Sequence, residues 1–122
     1  MIEFAPGWQL SINEERGWLC TRLAVTDDRV REAPLADTVT GLADTRVVYR
    51  VIFELADGLV LHSLLVGELV VLHKRLCLKG GALRLCGFST YNYEVIRLMQ
   101  LTDRFPNFAD RQAAVEGREQ TP

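Results

Sequence analysis

The start of the chain alternates apolar and polar residues with a period of two. Residues 8–13 (WQLSIN) place Trp8, Leu10 and Ile12 on one side of an extended segment, which is typical of a half-buried strand. Residues 14–17 then form a turn signal, because the glycine that ends them tolerates a positive φ. An extended pattern resumes over residues 18–24. This stretch predicts a β-hairpin.

The next segments change period. Leu35, Val39 and Leu42 recur at helical spacing just after Pro34, which predicts a short helix. Residues 47–55 (VVYRVIFEL) are rich in β-branched and aromatic side chains and predict a central strand. Only Arg50 and Glu54 interrupt this strand, and their even spacing puts both on the same, less covered face.

A long leucine stripe follows the segment LVLHS. Leu65, Leu69, Leu72 and Leu76 repeat at helical spacing after Ser63, and Gly80–Gly81 ends the pattern. The sequence therefore predicts a long helix that opens at Ser63. A serine at such a start caps free backbone N–H groups.

The last third repeats the alternation of strand and helix. Residues 82–88 predict a second central strand, and Ser89 or Thr90 caps a helix whose apolar face holds Tyr91, Val95 and Leu98. Residues 103–108 (DRFPNF) predict a short strand and residues 110–117 a final short helix. Such alternation predicts parallel strands joined by crossovers, which is an α/β domain.

Composition fits one compact domain over residues 1–122, with an ordered core at about residues 8–117. The chain has 48% apolar and 25% charged residues and a formal net charge of −2, which is ordinary for a globular protein and gives no sign of nucleic-acid binding. His62, Ser63 and Glu68 interrupt the most apolar stretch, so no membrane span is expected. The N-terminus lacks the features of a signal peptide, and we expect a cytoplasmic protein.

The sequence offers no enzyme motif and no cofactor site. It contains no phosphate-binding glycine loop and no nucleophile elbow, so we expect neither catalysis nor a cofactor. Cys20, Cys77 and Cys86 all lie in apolar stretches and predict buried, reduced thiols. His62 and His73 are eleven residues apart without a convergent partner, which argues against a metal site.

From residue 47 to residue 117 the chain resembles the STAS domain of bacterial anti-sigma factor antagonists. The resemblance rests on a strand ending in FEL, a short turn, a Ser-headed helix with Gly67 after its first turn, and the segment KGGALRLCGFS. A helix ending LMQLTDRF and a last alanine-containing helix complete it. The implied fold is STAS-like: a mixed β-sheet with helices mainly on one face.

The resemblance also implies a function. In that family a serine at the position of Ser63 accepts phosphate from a partner anti-sigma factor, which is a serine kinase. This chain has His62 where the family has aspartate and Leu65 where it has glycine, and we expect Leu65 to add bulk toward a partner. The alternative is a non-phosphorylated scaffold subunit of a larger signalling or transporter assembly. Monomer and dimer both stay open.

Two neighbouring strand ends define the expected contact surface. Because the carboxyl ends of parallel strands meet at one edge, ligands and partners gather there. The expected partner-binding residues are His62, Ser63, Leu64, Gly67, Ser89, Thr90 and Tyr91. Two of them have competing interpretations: Tyr91 also fits the core at its spacing from Val95, and His62 also fits a half-buried residue bonded to backbone.

Overall fold

Five strands form one mixed sheet in the part of the chain that the computed structural model describes, residues 1–27 and 33–120. Their order across the sheet follows the chain. The first two pairings are antiparallel and the last two are parallel. The strands are β1 (Ile2–Ala5), β2 (Trp8–Glu15), β3 (Trp18–Val25), β4 (Arg50–Leu55) and β5 (Ala82–Cys86).

Four helices complete the described architecture. They are α1 (Leu35–Arg46), α2 (Ser63–Leu78), α3 (Thr90–Leu98) and α4 (Arg111–Glu116). Helix α1 lies in the chain between the parallel strands β3 and β4, and α2 lies between β4 and β5. Apolar residues of α1, α2 and α3 share one core with the sheet, whereas α4 packs on the opposite face. The predicted α/β class, mixed sheet and one-sided placement of most helices are confirmed.

The leucine stripe of α2 is the centre of the larger core. Leu65, Leu69, Leu72 and Leu76 are each at most 2% exposed, as their spacing predicts. They pack with Val51 and Phe53 of β4 and with side chains of the other strands. Burying one leucine completely contributes roughly 1.5–3 kcal/mol, so this single face of α2 fixes the helix firmly on the sheet.

A smaller cluster covers the other face of the sheet. It joins aromatic, sulfur and small apolar side chains: Trp18, Cys20, Ile52, Cys86, Phe108 and Ala114. Arg50 is exposed and Glu54 is half-buried on this face, which confirms that they leave the less covered side of β4. Burial raises the pKa of both cysteine thiols, that of Cys86 to about 12, so both stay protonated at neutral pH.

Two glycines end α2 for different reasons. Gly80 has φ of +75°, a conformation that favours glycine. Gly81 approaches the start of β4 so closely that an added Cβ would lie 1.9 Å from the Tyr49 carbonyl oxygen. The backbone N–H of Ala82 donates to that same oxygen at 3.0 Å. The turn therefore holds β4 and β5 in register.

Several sequence predictions were wrong in detail. Strand β1 was not predicted, and residues 103–108 form no strand but a single parallel bridge between Phe108 and Cys86. Strand β4 begins at Arg50 because Val47 takes a left-handed conformation, φ 54°, as the C-cap of α1. Cys77 is exposed, since it follows Leu76 and turns away from the buried stripe.

Candidate functional site

The carboxyl ends of β4 and β5 meet at one edge of the sheet, and Asn92 of α3 joins the segments that follow them. Its side-chain Nδ2 donates to the Leu59 carbonyl oxygen at 2.7 Å, and its Oδ1 accepts from the Leu61 N–H at 2.9 Å. Asn92 is 2% exposed. The predicted proximity of the two tips is confirmed.

Sequence reasoning missed Asn92 as the residue that makes this connection. The only signal was a polar, poorly helix-forming side chain at the third position of α3. A side chain there commonly faces solvent. Here its amide satisfies the Leu61 N–H donor and the Leu59 carbonyl acceptor, which an apolar side chain cannot do.

The amino end of α2 is capped by His62. The imidazole Nδ1 accepts from the Leu65 N–H at 3.4 Å, and His62 has extended backbone angles. The prediction that Ser63 caps this helix is therefore wrong, because Ser63 lies one residue later, as the first helical residue. An accepting Nδ1 places the ring proton of neutral His62 on Nε2.

Ser63 is exposed, and its hydroxyl makes no hydrogen bond to the described chain. It sits where the first backbone N–H groups of a 16-residue helix have no intrahelical acceptor. Aligned peptide dipoles give such an end a partial positive charge, which favours a nearby anion. An added phosphate would meet solvent and this field without displacing a buried group.

The next residues separate into buried and surface positions. Leu65 is 2% exposed and belongs to the core, so the expectation that its bulk faces a partner is wrong. Leu64 is 45% exposed. A Cβ added to Gly67 would meet nothing within 4 Å. The surface of the first α2 turns is therefore made by Ser63, Leu64 and Gly67.

The amino end of α3 has a conventional cap. The Ser89 hydroxyl oxygen accepts from the Asn92 N–H at 3.0 Å, which confirms the predicted capping. Thr90 is exposed, and Tyr91 is 61% exposed, so the interpretation of Tyr91 as a core residue is wrong. The buried positions of α3 are Asn92 and Ile96, one residue beyond the predicted stripe.

We call the residues around these two helix starts the strand-end surface. It comprises Val60, His62–Leu64, Gly67 and Ser89–Tyr91. Three apolar side chains on it are substantially exposed: Val60, Leu64 and Tyr91, at 53%, 45% and 61%. Exposed apolar and aromatic groups among hydroxyls and a polar rim are common at protein–protein contacts.

A groove of about 550 Å³ adjoins the strand-end surface between the starts of α1 and α2. Ser63 and Leu64 line one side, and Trp8 and Pro34 contribute to its other walls. Its carboxylates already have partners. Glu68 Oε1 accepts from the Ala36 N–H at 3.2 Å, and Asp37 pairs with Arg75 at 2.6 Å. The groove thus offers mainly apolar contact.

The two histidines lie at different places along α2. His62 caps the amino end, whereas His73 packs its ring edge-on against Phe105 and has Nε2 3.7 Å from the Cys77 sulfur. Burial and the charge of Arg104 lower the pKa of His73. Over residues 1–27 and 33–120, no three metal-binding side chains come together.

Comparisons with solved structures agree with this architecture. The NMR structure of the protein TM1081 superposes with a TM-score of 0.71 at 16% identity, covering 86% of this chain and 84% of that one. An anti-sigma-factor antagonist (STAS) domain protein from Planctomyces limnophilus superposes with a TM-score of 0.65 at 20% identity, covering 88% and 96%. The chain therefore has the STAS-like fold.

Comparisons of sequence alone identify no family for this chain. No protein-family model matches the chain, and no curated protein matches it significantly. None of the helices in the described residues is long and apolar enough to cross a membrane.

Proposed function

We propose that this protein is a cytoplasmic, non-catalytic regulator that binds an anti-sigma factor of the serine-kinase type. The strand-end surface is the proposed contact, with His62, Ser63, Leu64, Gly67, Ser89, Thr90 and Tyr91 as its binding residues. Phosphorylation of Ser63 is the proposed switch that ends the contact.

The observation that supports this proposal most is the position of Ser63. Its hydroxyl is exposed at the amino end of α2, beside the exposed side chain of Leu64. A kinase can reach such a hydroxyl, and the helix end tolerates the added charge. A phosphate there brings about −1.5 to −2 charge onto a surface with exposed apolar groups, which opposes an apolar partner.

The likeness to an anti-sigma-factor antagonist domain supports the choice of partner class. The buried position of Leu65 also supports this choice. Leu65 stands where the family has glycine, but its side chain lies in the core and adds no bulk to the contact surface. His62 replaces a carboxylate there, but it still supplies the cap of α2 through a ring nitrogen.

The direct test uses purified protein, a candidate anti-sigma kinase and ATP, followed by intact-mass measurement. We expect the mass of one phosphate on the wild-type chain and none on Ser63→Ala. Binding of the kinase to the unmodified chain should be measurable by calorimetry. An unmodified mass together with no binding to the kinase would reject the proposal.

A pair of variants separates the switch from the scaffold alternative. Ser63→Asp adds a negative charge at the start of α2, and Ser63→Asn has nearly the same shape without the charge. The switch requires that only the aspartate variant lose partner binding. A scaffold subunit would bind its partner equally well with either side chain.

A further inference from the structure

A histidine and a cysteine lie side by side on the carboxyl-terminal half of α2. His73 and Cys77 are four residues apart, so one helical turn brings their side chains to the same face. The Cys77 sulfur lies 3.7 Å from Nε2 of His73. Cys77 is a free, exposed cysteine, and His73 is half-buried. Two atoms that commonly bind metal ions in proteins are therefore neighbours on an accessible face of this helix.

The packing around His73 fixes the position of its ring. The imidazole lies edge-on to the ring of Phe105, with centroids 5.6 Å apart, and Phe105 is itself fully buried. This contact holds the imidazole on one side of α2, with Nε2 directed toward Cys77. Because the pair is already in place, binding a metal ion costs less ordering of side chains than it would for two mobile ligands.

The separation of the two atoms fits a tetrahedral zinc ion. Zinc binds cysteine sulfur at about 2.3 Å and histidine nitrogen at about 2.0–2.1 Å. With those bond lengths, a sulfur and a nitrogen 3.7 Å apart subtend an angle of about 115° at the metal, close to the tetrahedral value. A spacing of four residues is also the one by which zinc-binding helices present two ligands. The ligand types, their spacing and their distance thus indicate the same ion.

One chain supplies half of the ligands that a structural zinc site needs. Within residues 1–27 and 33–120 no third metal-binding side chain joins the pair. A second copy of the chain offers the same pair, and a two-fold axis brings both pairs to one ion. Leu78, next to Cys77, is 87% exposed and offers an apolar contact beside the metal. Two thiolates balance the charge of one zinc ion, so the completed site is neutral despite the charge of Arg104, which acts on His73.

We propose that His73 and Cys77 of two copies of this chain together bind one zinc ion, and that this ion joins the copies as a dimer. Zinc displaces the thiol proton of each Cys77 to the solvent, and no oxidation takes place. The site lies toward the carboxyl end of α2, whereas the strand-end surface lies around its amino end. It is independent of the proposed function, and either can fail without the other.

The test is a titration of the whole chain, without an affinity tag and reduced by a phosphine, with cobalt(II). Cobalt(II) occupies tetrahedral zinc sites and absorbs visible light in a way that reports thiolate ligands. We expect this absorption to saturate at one ion per two chains and to disappear when zinc is added. Sedimentation velocity should show a dimer in the presence of zinc and a monomer after excess EDTA.

Matched variants identify the ligands. Cys77→Ser changes an exposed side chain, so the fold should be unaffected. It should weaken zinc binding by more than about a hundredfold, which exceeds the usual cost of losing a partner outside the ligand shell. His73→Gln should do the same. If its lost contact with Phe105 unfolds that variant, Cys77→Ser alone decides. Lys74→Gln, at an exposed position between the two ligands, should bind zinc as the wild type does.

Three results would overturn the proposal. Equal zinc affinities of wild type and Cys77→Ser would show that the pair is not the site. Saturation at one ion per chain without a dimer would show that a second copy does not complete it. A dimer that persists in EDTA would show that zinc does not join the copies.

Discussion

The amino ends of α2 and α3 are capped by different kinds of side chain. Each helix is the next element after a parallel strand, and each leaves its first backbone N–H groups without intrahelical acceptors. At α3 the hydroxyl of Ser89 accepts at 3.0 Å, and at α2 the imidazole of His62 accepts at 3.4 Å. The hydroxyl of Ser89 is thus occupied by a backbone hydrogen bond, whereas that of Ser63 makes none to the described chain.

The comparison shows that residue type alone does not assign a role. Each helix has a hydroxyl residue at or next to its first position. A displacement of one residue decides whether that hydroxyl accepts a backbone N–H or faces solvent. Because His62 already supplies the cap, chemical change at Ser63 leaves the hydrogen bonds of α2 intact.

The largest effect should come from breaking the link between the two helix starts. Asn92→Ala leaves the Leu61 N–H and the Leu59 carbonyl without their partners in the interior. Each unsatisfied buried group costs roughly 1–3 kcal/mol, so we expect a loss of about 3 kcal/mol in the free energy of unfolding. Chemical denaturation of the variant and wild type measures this difference.

The control for Asn92→Ala is Asn13→Ala. Asn13 is exposed on β2, and removing an exposed amide should change stability by less than about 0.5 kcal/mol. Equal stabilities of the two variants would show that the Asn92 amide does not hold the segments together.

The next effect concerns the α3 cap. Ser89→Ala removes the acceptor of the Asn92 N–H, and loss of a serine cap costs about 1 kcal/mol. Thr90→Ala, at the adjoining exposed hydroxyl, removes no described hydrogen bond and should be nearly neutral. A thermal melt of both variants checks the difference. If Thr90→Ala were the more damaging change, our assignment of the cap would be wrong.

A smaller effect, opposite in sign, is expected at the α2 cap. Aspartate is a preferred N-cap and its charge interacts favourably with the helix dipole, so His62→Asp should raise stability by about 0.5 kcal/mol at neutral pH. His62→Ala should lower it, because the Leu65 N–H loses its acceptor. A destabilised aspartate variant would mean that the imidazole makes other contacts of greater value.

The smallest effect should belong to Ser63. Its hydroxyl is exposed and unbonded within the described chain, so Ser63→Ala should shift the free energy of unfolding by less than about 0.5 kcal/mol. Hydrogen exchange of the α2 amides should also remain unchanged. A large loss would show that this serine supports the fold, which would weaken the case for a modifiable hydroxyl.

The sequence predicted the elements that large apolar stripes define. The leucines of α2 recur at helical spacing, and β4 is rich in β-branched residues. The spacing therefore predicted both the type of each element and the face that it buries. Strand β1 has only four residues at an edge, too few for a pattern. Residues 103–108 bury Phe105 and Phe108 in two different clusters, but they pair with the sheet only through the bridge between Phe108 and Cys86.

The site was predicted less completely than the fold. Ser63, Leu64 and Ser89 were placed near one another because parallel strand ends share an edge. The cap at His62 depends on a one-residue offset at the start of α2, which the leucine spacing does not fix. The outward direction of Tyr91 and the inward direction of Asn92 depend on a one-residue offset that periodicity does not resolve in the nine residues of α3. The Asn92 bonds span 31 and 33 residues, a separation that local pattern cannot reveal.

Those long spans have a consequence during synthesis. When Ser63 of a growing chain has just left the ribosome, Asn92, the residue that fixes the segment before Ser63, has not yet emerged. The strand-end surface is therefore completed only after α3 has emerged and docked, so unfinished chains do not present it in its final form.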